Sequence, residues 1–241
     1  MAEMMELEIY VVGKEDDVNR FFNIIRAGTE WETDPVPYDP EIYLDSEYNI
    51  SYGNLFIKKR LDDGRVFACI EGATKYSIRE WGRTYEEDEF SETMNKRVVS
   101  VNVLTKILDL AVFYRGFEST YGEDNYGQIV RGKVIHSDEG YFIDTTADYN
   151  SNEWDGLKYD VEYIGYDWNK FKEEMDTFFL QNCPKEFEGL SVDEIVDKYD
   201  DYELGVRVFA GEFIWDDITP EMVDSDKPII QTKAGYRFET I

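Results

Sequence analysis

The chain has 241 residues, and its 53 Asp plus Glu against 25 Lys plus Arg give a formal charge of −28. That is far beyond the roughly 2 to 8 charges that keep a small domain soluble. Aromatic residues make up 16% of the sequence, so the acidity belongs to a folding chain and not to a disordered tail. A surface of this sign repels nucleic acid and anionic membranes, which are held by cations, and draws in a basic protein surface.

Adaptation to high salt fits less well, because such chains usually shed Lys and this one keeps it beside Arg. Glu3, Glu6 and Glu8 stand where a secretion leader would be basic and then apolar. No apolar run approaches the roughly 18 residues of a membrane span. Cys69 and Cys183 lie far apart and are expected as reduced thiols. Together these features predict a soluble protein of the cytoplasm.

In chain order, residues 7–12 read as a strand stopped by Gly13. Val18, Phe21, Phe22 and Ile25 then recur at helical spacing over 15–26, with Asp16 and Asp17 in the first turn and Arg26 in the last. A loop over 31–46 holds Pro35, Pro37 and Pro40. A hairpin follows over 52–61 and 65–70, turning on Asp62-Asp63-Gly64. Further strands are predicted over 75–81 and 111–114, with a helix between them from the spacing of Val98, Val101, Leu104 and Leu108. A second hairpin over 128–136 and 141–144 turns on Ser137-Asp138-Glu139-Gly140.

The polar block 148–156 reads as a boundary. Beyond it, a strand over 159–164, Gly165 and a helix over 169–181 repeat the order of the opening unit. Ser191 and Glu194 form a capping box. Strands are then predicted over 203–210, 212–215 and 236–240. The expected class is α+β, with antiparallel sheets and packed helices in ferredoxin-like units, one or two in tandem. The expected domains are 1–147, ferredoxin-like, and 157–241, a smaller α+β domain.

The opening strand, glycine and helix, the stretch Ile78-Arg79-Glu80-Trp81-Gly82-Arg83-Thr84, and Phe113-Tyr114-Arg115-Gly116-Phe117-Glu118 resemble the YubB-like ferredoxin-fold family of small plasmid and phage proteins. The resemblance spans at most residues 5–145, with Arg115 in place of the glutamates expected there. It implies a mobile-element origin, hence the cytoplasm of a bacterial host, and carries over no enzymatic activity.

Chemical motifs are scarce. His136 is the sole histidine and reads as a structural residue of its hairpin; no nucleophile elbow, phosphate loop or zinc-binding helix motif is present. Asp148, Asn150 and Asn152 echo positions 1, 3 and 5 of a calcium loop, but the glycine at position 6 is missing and Tyr159 stands at position 12. A polar interdomain loop is the preferred reading. No cofactor and no metal are expected. Lys58-Lys59-Arg60 is the one basic triplet, and it is expected to pair with neighbouring carboxylates and not with nucleic acid.

The residues expected to meet a partner are the acidic clusters Glu86, Glu87, Asp88 and Glu89; Glu153 with Asp155; Asp200 with Asp201; and Asp216 with Asp217. Trp154 and Trp215 beside them are aromatic anchors of the kind that hot spots use. The functional expectation is a non-enzymatic inhibitor of phage or plasmid origin, an anti-CRISPR-like counter-defence protein. Its carboxylates would imitate nucleic-acid phosphates and block the basic groove of a nucleic-acid-binding protein or effector complex. Two other classes stand beside it: an immunity-type protein neutralising a cognate toxin, and a metal-dependent enzyme built on carboxylates. Oligomeric state is open.

Overall fold

Strand β1 (Met5–Gly13) alternates cleanly, and that alternation organises the first part of the molecule. Met5, Leu7, Ile9 and Val11 are buried on one face of a sheet, whereas Tyr10 and Val12 belong to the other. The computed structural model describes residues 4–27, 37–44, 49–74, 78, 81, 88–91, 96–118, 122–148, 154–198, 205–211, 213–214, 217–229, 232–233 and 235–240.

Helix α1 (Glu15–Arg26) follows β1 with three acids in its first turn and Arg26 in its last, which suits the helix dipole. Next come β2 (Ile42–Leu44), β3 (Tyr52–Arg60), β4 (Val66–Thr74), β5 (Asp88–Ser91), β6 (Lys96–Val99), α2 (Val101–Ile107), β7 (Ala111–Glu118), β8 (Glu123–Val130) and β9 (Lys133–Tyr141). Six of these strands form one sheet in the order β3-β4-β1-β7-β8-β9. β1 runs antiparallel to both β4 and β7, and β3 antiparallel to β4. The connections carrying α1 and α2 therefore each step over one intervening strand, the connectivity of a split β-α-β unit.

Phe21, Ile25 and Leu104, each fully buried, close the helix-covered face. Burial of each such side chain contributes about 1.5–3 kcal/mol. Trp81 joins them edge-on to Tyr114, with ring centroids 5.4 Å apart. β2, β6 and β5 make a separate small sheet.

β10 (Ile143–Asp148) opens a second unit, with α3 (Trp154–Tyr163), α4 (Trp168–Asn182), α5 (Val192–Lys198), β11 (Gly205–Ala210) and β12 (Phe213–Ile214). Helix α6 (Pro220–Val223) belongs again to the first unit, and β13 (Thr232–Lys233) and β14 (Tyr236–Thr240) complete the second. The second unit is built on the sheet β10-β11-β14, whose inner face packs Val206, Val208, Tyr236 and Phe238 on Phe171, Met175 and Phe179 of α4. Helices with largely antiparallel sheets make the protein α+β. No helix among the described residues is long and apolar enough to cross a membrane.

Four sequence expectations are corrected. The residues over 159–164 are the end of helix α3 and its turn, because Leu157 and Val161 repeat at helical spacing and are the buried positions. The second unit therefore does not repeat the strand-glycine-helix order of the first. The second hairpin turns on Arg131-Gly132, both at positive φ (50° and 87°), which is the two-residue turn geometry that matches strand twist. A Cβ on Gly132 would lie 2.7 Å from Cβ of Lys106, so this turn also needs glycine for space. Ser137 to Gly140 lie within β9 instead.

The boundary falls at 140/141 instead of within 148–156, since β10 pairs with β11 and not with β9. Residues Trp215–Ile230 return to the first unit, so neither expected domain is contiguous. Val98 lies within strand β6 and does not begin the helix. Of the strand expected over 75–81 only Ile78 and Trp81 are described, and both are buried.

Candidate protein-interaction face

Helix α3 has two unlike sides. Leu157 and Val161 face the core of the second unit, while Asp155, Tyr159 and Tyr163 follow one another at four-residue spacing on the outside. Tyr159 is 67% exposed and Tyr163 59%, unusual for side chains of this size. Their rings stack with centroids 6.1 Å apart and planes 16° apart. Tyr163 is further braced edge-on by Tyr141 at 5.4 Å. Asp160 and Glu162 are exposed on the same helix. A preorganised aromatic pair beside exposed carboxylates offers apolar area at small entropic cost, with charges around it to orient a basic partner.

Trp154 has a different role from the one expected of it. It is half-buried, edge-on to Trp168 at 6.0 Å, with Lys172 Nζ 4.9 Å from its ring, so it ties α3 to α4. Asp155 is exposed in the first turn of α3, in the second unit. Asp217 is exposed shortly before α6, and Asp88 and Glu89 pair in β5 with Val99 and Val98; all three belong to the first unit. Glu86, Glu87, Glu153, Asp200, Asp201, Asp216 and Trp215 lie outside the described residues, as does the centre of the calcium-like loop at 149–153. The acids singled out in the sequence are thus divided between both units.

Local pairing engages several of the described arginines. Arg20 holds Asp39 through two bonds of 2.8 and 3.0 Å and Glu41 through one of 2.9 Å. Arg115 meets Glu8 at 2.9 Å, and Arg207 grips Asp144 at 3.0 and 3.1 Å. The basic triplet behaves as its surroundings predict: Lys58 lies 3.6 Å from Glu71, and Arg60 pairs with Glu15. These pairs are formed within a chain whose formal charge is −28.

Two features of the first unit were not legible as sites. The sheet face opposite α1 and α2 carries Tyr52, Phe56 and Phe117, all exposed, among Glu6, Glu71, Lys58 and Arg115. Its mixed charge suits a basic partner less well than α3 does. The same face holds a buried polar knot. Gln128, fully buried, donates through Nε2 to the carbonyls of Met222, Val223 and Ser225 at 2.9–3.1 Å and accepts from Ile229 N at 3.2 Å. Asp224 beside it accepts from Arg131 at 2.7 Å and from Arg65. Burial raises the Asp224 carboxyl, but the two guanidinium groups outweigh it and hold the group below its ordinary value.

His136 stacks edge-on with Tyr126 at 5.9 Å, across the β8–β9 hairpin. Among the described residues no cluster of three or more His, Cys, Asp or Glu is placed to hold a metal. No family model, no curated protein and no solved structure matches this chain.

Proposed function

We propose that the protein is a non-enzymatic inhibitor that binds a basic, nucleic-acid-handling protein, imitating phosphates with its carboxylates. The α3 stripe carries the reading: Asp155, Tyr159 and Tyr163 combine exposed, mutually stacked rings with negative charge. On a chain of −28, association with a cationic groove gains a long-range steering field, and the tyrosines supply the short-range fit. A phage or plasmid origin, action in a bacterial cytoplasm and the resemblance to the YubB-like family belong to the same proposal.

The test is capture from host lysate at low salt, followed by a salt step and competition with DNA. A basic partner released by salt, displaced by DNA and lost to Tyr159→Ala/Tyr163→Ala supports the proposal. A partner that survives high salt and ignores DNA favours an immunity-type protein with a specific interface, and overturns the mimic.

A further inference from the structure

Turning about 100° per residue, α3 sets Tyr159 opposite its buried pair, Leu157 and Val161. Asp155 and Glu162 line one flank of that tyrosine, and Gly156 and Asp160 line the other, all of them exposed. The ring of Tyr163, one turn further on, stacks on the side of Tyr159 that looks towards the C-terminal end of the helix. Among the described residues Tyr159 has no second ring contact. At 67% exposure, its other face looks over the first turn of α3, where Asp155 and Gly156 stand.

Gly156 keeps that turn open. A Cβ built there would meet nothing within 4 Å, and the residue is not at positive φ, so neither packing nor backbone geometry calls for glycine. Glycine is also a poor helix former. What its missing side chain provides is space beside the Tyr159 ring, because residues three apart are neighbours on a helix and a larger side chain would lie against that ring. Asp160, four residues after Gly156, borders the same space. Lys158, the one cation of α3, is turned about 100° away from Tyr159.

We propose, on the reading of α3 as the partner-binding face, that this notch receives an arginine side chain of the partner. Its guanidinium plane lies on the open face of Tyr159, over Gly156. Paired N–H groups along its edge donate to the Asp155 carboxylate, and Asp160 adds negative charge from the other flank. Lysine meets the same charge, but it neither stacks as a plane nor offers a carboxylate two parallel donors, so the notch distinguishes the two cations. The proposed function requires a basic partner; the notch specifies which cation anchors it.

The probes are two capped peptides, Gly-Arg-Gly-Arg-Gly and Gly-Lys-Gly-Lys-Gly, titrated into the full chain in about 0.1 M salt to screen long-range attraction. Amide shifts of residues 155–163 report occupancy. The arginine peptide is expected to bind α3 roughly threefold more tightly than the lysine peptide, with its side-chain methylene resonances moved upfield by the tyrosine ring. Gly156→Leu fills the open space without a clash and favours the helix, and Tyr159→Leu removes the aromatic face from an exposed position. In both variants, checked by thermal unfolding, the two peptides should bind equally. Equal binding of the peptides to the native chain, a preference that survives Gly156→Leu, or shifts spread over the acidic surface with none concentrated at α3 would each overturn the arginine site while leaving a basic partner possible. An arginine preference at α3 with no basic partner captured from lysate would sustain the site and overturn the proposed function instead.

Discussion

Replacing Gln128 with Met tests whether the segment 217–229 is held to the sheet by one side chain. Methionine conserves most of the volume, so packing loss stays small. What disappears is polar. The Nε2 group has two hydrogens for three carbonyls, so it supplies two bonds' worth of donation, and Oε1 accepts one more from Ile229. Three bonds at about 1 kcal/mol each give about 3 kcal/mol, and backbone groups left buried without a partner would add to that. Native-state hydrogen exchange at Met222, Val223 and Asp224, whose amides bond to Thr219 and Pro220, reads the loss directly. A change of about 3 kcal/mol corresponds to exchange faster by roughly 150-fold. Acceleration of less than about tenfold would mean that Val223 and Ile229, in their apolar cluster, hold the segment without the glutamine, and would refute the reasoning.

Two further outcomes follow from titratable groups in the first unit. Asp224 has its folded-state value depressed by Arg131 and Arg65, so the stability it contributes is complete above its unfolded value, near 4, and is lost as pH falls through the folded value. Exchange at residues 222–224 should therefore accelerate below about pH 4 in the native chain and lose that dependence in Asp224→Asn; an unchanged pH profile in the variant would rule out Asp224 as its source. Burial pushes the Cys69 thiol up to about 11, so alkylation at pH 8 should spare it in the folded chain and reach it in urea. Modification of Cys69 under native conditions, located by peptide mass, would contradict its burial.

Locally encoded features could be read from the chain, and those that need distant partners could not. The period-two run at β1, the amphipathic spacing of α1 and the Asp62-Asp63-Gly64 turn each lie within a short window, and each element formed where its pattern placed it. The capping box is equally local, with Ser191 N donating to Glu194 at 2.8 Å. The second hairpin turns at Arg131-Gly132, both at positive φ, and a side chain at Gly132 would also meet Lys106 of another element, a constraint absent from the turn's own residues. Tyr159 and Tyr163 were legible in principle, since their four-residue spacing marks a helix face once Leu157 and Val161 are recognised as its buried side. Read as a strand, the same residues lose that relation.

Composition alone determined the acidity, and short-range periodicity alone placed β1, α1, β3, β4 and the start of β7 in the first unit. Only the tertiary structure decided that Trp215–Ile230 rejoins that unit, because Gln128 reaches backbone partners 94 to 101 residues away and no local pattern records such a pairing. It likewise decided which aromatics are presented and which are consumed. Trp154 and Tyr159 stand five residues apart on one helix, yet the first packs against Trp168 and the second faces solvent, because only one side of α3 meets α4.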